Sequence, residues 1–179
     1  MLKSLSLAVL VAGFSIGLSS CWNKNYNEPG RIDISKRPTE AYIPASYERT
    51  WAATQAILAK FPITKRDIDP ATGRAYIVTD WIRGKSDVLY HGFDVNRIPY
   101  IIRYKLYVYV VGDQRGGKTQ VTIKNSEQYS DDVITAGVDI QGNLETWIKT
   151  DSSTLKENAL LQEITRLVKD PKFSGEVAE

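Results

Sequence analysis

The sequence predicts an α+β fold: a two-layer, helix-grip-like domain in which an antiparallel β-sheet packs against two α-helices, in the order α-β-β-β-β-α. Apolar residues recur at steps of three and four near residues 46–60 and 154–169, which is the helical period. Between these segments, apolar and polar residues alternate with period two, as in half-buried strands. Each helix has one apolar stripe, and one apolar face of a sheet can bury both stripes.

The first helix is predicted from about Pro44 or Ser46 to Lys60, and Pro62 stops it because proline has no N–H to donate. Ser46 is suited to the N-cap position, with Glu48 in the first turn. The apolar stripe of this helix comprises Tyr47, Trp51, Thr54, Ile57, Leu58 and Phe61.

A strand over residues 63–68, a Pro- and Gly-containing turn over 69–73 and a strand over 74–82 form the next predicted unit. Both sides of the second strand carry bulky apolar residues, so the pattern leaves open which side faces the core. Glycines and charges break the pattern over residues 83–97, which predicts a loop with at most a short strand at 88–90.

Residues 98–111 carry the strongest strand pattern, with Ile102, Tyr104, Leu106, Val108 and Val110 on one side. Its other side is wetter and rich in tyrosine. That side presents Arg103, Lys105, Tyr107 and Tyr109. Residues 119–125 are predicted to pair back with Val121 and Ile123 inward, and residues 126–150 to form a further strand or a loop.

The last helix is predicted to begin at Thr154 and end before Pro171, because Thr154 and Glu157 have capping-box spacing. Its apolar stripe comprises Leu160, Leu161, Ile164, Leu167 and Val168. Residues 172–179 are predicted to be a frayed C-terminal tail. The single domain is therefore expected over residues 45–171.

The N-terminus carries Lys3, then an apolar and small-residue run from Leu5 to Leu18, then Ser19, Ser20 and Cys21. The run is too short to span a bilayer and is typical of a secretory signal. The pattern Leu18-Ser-Ser-Cys21 resembles the lipobox of bacterial lipoproteins. The resemblance implies that signal peptidase recognises Leu18, Ser19 and Ser20, removes residues 1–20, and leaves Cys21 acylated. The alternative is a buried structural cysteine after an uncleaved helix.

Residues 21–44 are predicted to be a lipidated N-terminus and flexible tether, because their prolines and asparagines disfavour regular structure. Several of their residues are more apolar than a spacer requires. Trp22 and Tyr26 are therefore candidate partner contacts, together with Tyr107 and Tyr109 of the tyrosine-rich strand. Two interpretations of these apolar residues are left open: the segment packs locally, or it folds onto a partner.

The chain has 23 basic and 21 acidic residues and a net charge of +2. Proteins that bind nucleic acid carry a patch or stripe of basic residues. The near-neutral, well-mixed charge of this chain therefore argues against a nucleic-acid partner. Cys21 and His91 are the only cysteine and histidine, so no Cys/His metal set, Cys–His nucleophile or internal disulfide is expected. Asp131, Asp132 and Asp139 lack the spacing of a calcium loop and are interpreted as a solvated acidic loop. No cofactor, metal or catalytic residue is predicted.

One segment matches the phosphate-loop pattern G-x-x-x-x-G-K-[ST]; it begins at Gly112 and ends at Thr119. Phosphate binding requires a helix after the loop, whose N-terminal N–H groups hold the anion. Here a period-two segment follows, which favours a strand. The match is therefore interpreted as a glycine-rich hairpin turn that binds no nucleotide.

As a whole, the domain resembles the helix-grip domains of BamC-type lipoproteins of the outer-membrane β-barrel assembly machine. The matching features are Trp51, the turn at 69–73, the strand at 77–81, the tyrosine-rich strand and the helical segment at 160–164. The resemblance implies an accessory scaffold without catalysis, facing the periplasm, and a partner in the envelope such as the β-barrel assembly machinery. Trp22 stands where an inner-membrane retention signal has aspartate, which favours the outer membrane.

We therefore expect a membrane-anchored, non-enzymatic interaction or scaffold domain, held on the lipid bilayer through acylated Cys21. The alternative is a periplasmic binding module that holds an apolar or amphipathic ligand between the C-terminal helix and the sheet, as helix-grip folds in other families can.

Overall fold

In the computed structural model of the chain, the structure describes residues 29–92, 96–113, 117–130 and 147–174. These residues form an α+β fold in which every strand pairs with its neighbours in antiparallel orientation. The elements are β1 (Gly30–Arg31), β2 (Glu40–Ile43), α1 (Tyr47–Leu58), β3 (Ile63–Asp69), β4 (Arg74–Thr79), β5 (Ile82–His91), β6 (Ile98–Gly112), β7 (Thr119–Ser130), β8 (Trp147–Thr150) and α2 (Leu155–Lys169). The predicted α+β class is confirmed, whereas the chain order has more strands than expected and begins with two of them.

The long β6–β7 hairpin is the centre of the sheet, and shorter strands flank it on both sides. On the free edge of β6, β5 pairs with the N-terminal half and β4 with the C-terminal half. Beyond them lie β1, which pairs with β5, and β3, which pairs with β4. On the free edge of β7, β2 and β8 pair with opposite ends of the strand.

The tyrosine-rich strand and its partner follow the predicted alternation closely. Ile102, Leu106, Val108 and Val110 of β6 are buried, and Val121 and Ile123 of β7 lie beside them. Both helices pack on this face of the sheet, where Leu160, Leu161, Ile164 and Val168 of α2 join the same core. The orientation of β4, which the sequence left open, is settled by Ala75, Ile77 and Thr79, whose side chains are buried on the helix side.

A one-residue bulge separates β4 from β5. Val78 pairs with Tyr107 and Ile82 with Tyr104, so three residues of one strand lie opposite two of the other. The N–H of Leu106 donates to Thr79 Oγ1 at 3.0 Å, which replaces the lost ladder bond. The two strands therefore run on as one bent strand along β6.

The prediction of a loop over residues 83–97 was wrong, because β5 occupies residues up to His91. Lys85 pairs with Ile101 and Tyr90 with Pro99, so residues 86–89 lie opposite a single residue of β6. Ser86 Oγ accepts from the N–H of Leu89 at 2.9 Å and closes this wide bulge. The bulge breaks the period-two pattern, and for that reason the sequence did not indicate a strand.

The prediction of no regular structure was also wrong for residues 30–31 and 40–43 of the segment 21–44. β1 pairs with Leu89 and Tyr90, and β2 pairs with residues 119–122 of β7. Ile43 is 1% exposed in the main core, so local packing accounts for this apolar residue of the segment. Of the region left open at 126–150, β7 runs to Ser130 and β8 covers Trp147–Thr150.

The two helix starts differ from each other. Ser46 caps α1 as predicted, and its Oγ accepts from the N–H of Arg49 at 3.3 Å. The capping box at Thr154 is not formed: this residue has a left-handed φ of 64° and makes no side-chain cap bond. Its Oγ1 instead accepts from the N–H of Arg37 at 2.6 Å, which ties the start of α2 to the segment before β2.

Within the described ranges, neither helix is long and apolar enough to cross a membrane.

Candidate interaction surface on the open face of the sheet

The face of the sheet opposite the helices, here called the open face, carries the odd-numbered residues of β6. No described helix or strand packs over it. Arg103, Lys105, Tyr107 and Tyr109 lie on it, as the alternation of the strand predicted. The cross-strand register then brings residues of β3, β4, β7 and β8 beside them.

One end of the open face holds the tyrosine patch, which consists of Lys65, Tyr76, Tyr107, Tyr109 and Lys124. Tyr76 and Tyr109 are direct cross-strand partners whose ring centroids lie 6.0 Å apart. Lys65 lies over the ring of Tyr76 at 5.0 Å, and Lys124 over that of Tyr109 at 5.8 Å. The hydrogen bond with Tyr76 raises the pKa of Lys65. The tyrosine patch therefore presents flat rings with hydroxyl and ammonium groups at their rims.

The other end of the open face holds the Trp–Arg patch, which consists of Trp81, Arg83, Arg103, Lys105 and Trp147. The guanidinium of Arg103 lies between two indole rings, 4.7 Å from the Trp81 centroid and 4.5 Å from that of Trp147. Its Nε donates to Gln128 Oε1 at 2.7 Å. Arg83 shares the Trp147 ring at 5.6 Å, and Lys105 shares the Trp81 ring at 5.3 Å. The cations are thus held in place by aromatic faces.

The Trp–Arg patch brings like charges close together. Arg83 and Arg103 are direct cross-strand partners, an arrangement of like charges that destabilises a sheet. The ion pairs seen in the described part of the chain, Lys60 with Glu163 and Lys156 with Asp87, both involve α2. Among the residues described, neither Arg103 nor Lys105 lies within ion-pair distance of a carboxylate. The sheet therefore presents positive charge outward.

Of the site residues predicted from the sequence, Tyr107 and Tyr109 lie together in the tyrosine patch. Tyr109 is 38% exposed, and Tyr107 is half-buried. Leu18, Ser19, Ser20, Cys21, Trp22 and Tyr26 lie outside the described residues, as do Asp131, Asp132 and Asp139. The sequence did not single out Trp81, Arg83 or Trp147, because the bulges and short strands that position them hide their alternation.

The phosphate-loop match has the geometry of a hairpin, as predicted. Gly112 and Thr119 are cross-strand partners at the end of the β6–β7 ladder, and Thr119 begins a strand and not a helix. The helix N-terminus that a phosphate requires therefore does not follow this segment.

His91 ends β5 and is exposed. Its ring stacks on Tyr100 with centroids 3.4 Å apart. Partial burial lowers the pKa of His91. This contact is a packing contact at the end of the strand.

A buried polar cluster lies on the helix side, where Glu127 of β7 meets the start of α2. Glu127 and Glu157 are each 2% exposed. Burial raises the pKa of Glu127, as do the charges of Asp87 and Glu157, whereas Lys156 and the amide of Asn125 act in the opposite direction. The described residues contain no group of three side chains placed to hold a metal ion. The cluster therefore contains two carboxylates that are shielded from solvent.

Between α2 and the sheet, the described core is filled by side chains: Leu106, Val108, Ile123 and Ile164 each have no exposed surface. A groove of about 460 Å³ lies at the surface, where the edge of β2 meets the outer side of α2. Ala41, Leu161 and Thr165 are among its lining residues. Space for a ligand near α2 thus lies beside the helix and not beneath it.

Comparisons with known proteins add no relative. No protein-family model matches the chain, and no curated protein matches it. The fold and the surface define the class: a two-layer α+β domain with one helix-covered face and one basic, aromatic face.

Proposed function

We propose that this chain is a membrane-anchored lipoprotein of the cell envelope whose α+β domain is a non-enzymatic interaction module. It contacts a protein partner through the open face of its sheet. The observation that carries the proposal is that aromatic and cationic side chains are concentrated on the one face that the described helices leave open. Tyrosine, tryptophan and arginine are the residues that dominate binding energy at protein interfaces.

The anchor in this proposal is acylated Cys21 at the outer membrane, with the domain in the periplasm. The first strand begins at Gly30, so residues 22–29 separate the anchor from the sheet. At full extension this segment reaches no more than about 30 Å. The domain is therefore held close to the bilayer, closer than a tether reaching to residue 44 would hold it.

The helix-grip-like description and the BamC-type role belong to the same proposal. A C-terminal helix that lies against the sheet and contacts α1 and β7 supports the first. The proposed role is assistance in outer-membrane protein assembly, with the β-barrel assembly machinery as partner.

The experiment that tests this role places a photoreactive phenylalanine analogue at Tyr109 of the full chain in living cells. A matched variant carries the same analogue at Arg166, which is exposed on α2. We expect one discrete cross-linked protein from position 109 and none from position 166. Equal cross-linking from both positions, or none from 109, would contradict the proposed surface.

The anchor is tested separately by Cys21→Ser. We expect the variant precursor to remain uncut and the wild-type protein to float with membranes in high salt. Normal cleavage of the variant, with membrane retention unchanged, would remove the lipoprotein assignment.

A second candidate function is the binding of an apolar or amphipathic ligand in the groove beside α2, where the helix meets β2 of the sheet. A labelled fatty acid should then compete with an apolar fluorescent probe, and Thr165→Arg, at a lining residue outside the core cluster, should abolish the competition. Probe binding that is unchanged by Thr165→Arg would dismiss this candidate.

A further inference from the structure

We propose that the Trp–Arg patch docks on an anionic phospholipid bilayer, binding lipid phosphate groups through Arg103 and Lys105, with Lys85 and Lys149 beside them. This inference rests on the proposed function for the anchor that holds the domain near a bilayer. It assigns a different role to the two ends of the open face: lipid contact at the Trp–Arg patch and protein contact at the tyrosine patch.

The first support is charge. Among the residues that the structure describes, neither Arg103 nor Lys105 lies within ion-pair distance of a carboxylate. Lys85 and Lys149 lie on the same face, because they pair with Ile101 and Gln128 respectively. Guanidinium groups form paired hydrogen bonds with phosphate, so a phosphate-bearing surface is the complementary partner.

The second support is the set of aromatic and apolar side chains that lie beside these cations. Trp81 and Trp147 hold the guanidinium of Arg103 from both sides, and tryptophan is enriched at the level of lipid headgroups. Ile101 lies on the same face beside Arg103 and is 52% exposed. An exposed apolar side chain within a basic, aromatic surface is typical of proteins that lie on a bilayer.

The third support is the place where the chain enters the fold. β1 pairs with Leu89 and Tyr90, in the part of β5 that lies along the N-terminal half of β6. The Trp–Arg patch lies at this same end of the sheet. Tyr109 is six residues further along β6 than Arg103, or about 20 Å. A short connection from Cys21 to Gly30 therefore brings the Trp–Arg patch, and not the tyrosine patch, to the membrane.

The test uses the full lipoprotein reconstituted into two kinds of vesicle. One contains phosphatidylcholine alone, and in the other a third of the lipid is phosphatidylglycerol. Trp22→Phe serves as background. Of the three remaining tryptophans Trp51 is buried in the core, so Trp81 and Trp147 report contact through quenching by brominated lipid. We expect quenching to be stronger in the anionic vesicles and to be lost at high salt.

Charge variants then locate the contact. A basic residue near an anionic surface favours binding by about fivefold, so Arg103→Gln with Lys105→Gln should weaken docking roughly 25-fold. Lys85→Gln with Lys149→Gln should have a similar effect, and both lysines are exposed and make no described contact with the tryptophans. Arg166→Gln with Lys169→Gln removes the same charge from α2 and should leave docking unchanged.

Equal quenching in both kinds of vesicle would overturn the proposal and would favour an acidic protein as the partner of the patch. An equal loss in the α2 control would also overturn it, because the effect would then follow net charge alone. Failure to float with neutral vesicles in high salt would count against the Cys21 anchor only. Docking would in that case still be measured by flotation with the anionic vesicles.

Discussion

The two faces of β6 share one backbone but differ in what they bury. Leu106, Val108 and Val110 are fully buried under the helices, whereas Lys105, Tyr107 and Tyr109 alternate with them in sequence and face outward. On the covered face, apolar contact with neighbours fixes each residue. On the open face, rings and cations fix one another. The difference teaches that one face secures the fold and that the other is arranged for something outside it.

The largest contrast in stability should come from adjacent core and open-face positions. Leu106→Ala removes a fully buried side chain at the centre of the sheet and should lower the free energy of unfolding by about 2–5 kcal/mol. Tyr109→Ala should cost under about 1 kcal/mol. Urea unfolding of both variants measures the difference, and similar costs would contradict the division between the faces.

Trp147→Ala should have an intermediate effect. The ring lies against Arg83 and Arg103, and its loss removes two cation–π contacts worth about 1–2 kcal/mol together. Arg83 and Arg103 then lose the ring that both guanidinium groups contact, so their like charges are less compensated. Added salt should therefore stabilise this variant more than the wild type in thermal unfolding. Identical salt dependence would mean that the ring does not compensate the two charges.

Glu127→Gln should stabilise the protein at neutral pH. Because burial raises the pKa of Glu127 in the folded state above its ordinary value of 4.5, the unfolded state ionises first as the pH rises, and stability falls. Below this value both states are protonated, and the penalty is absent. The gain of the variant should therefore appear at pH 7 and vanish at pH 4 in thermal unfolding. If the variant were less stable than the wild type at pH 7, the folded protein would favour the charged form of Glu127, which would contradict this prediction.

The smallest effect should come from His91. Burial against Tyr100 lowers the pKa of the folded-state imidazole below its ordinary value of 6.5. The unfolded state therefore binds a proton first on acidification, and stability falls as the pH drops through this region. His91→Phe keeps a ring on Tyr100 and should remove this pH dependence between about pH 7 and 5. If the dependence of stability on pH were unchanged in the variant, groups other than His91 would be its cause.

The same contrast explains what could be predicted from the sequence. The alternation over β6 and β7 was readable because both strands are long and regular, and it placed Tyr107 and Tyr109 correctly on the outward side. The helix stripes were readable for the same reason. β5 was missed because its bulge at residues 86–89 breaks the period, and β1 and β2 because they are short edge strands among prolines. The Trp–Arg patch combines Trp81, which lies just before β5, with residues of β5, β6 and β8. Pairing of β5 with β6, β6 with β7 and β7 with β8 brings them together, and no local pattern encodes this.

The most direct test of the central claim is hydroxyl-radical footprinting of the full chain in its native membrane and after release into detergent. The open face is claimed to be the working surface. We therefore expect Tyr76, Tyr109, Trp81 and Trp147 to be protected in the membrane, with Leu167 and Phe173 of the helix layer equally reactive in both states. Protection confined to the helix layer, or none on the open face, would contradict the claim.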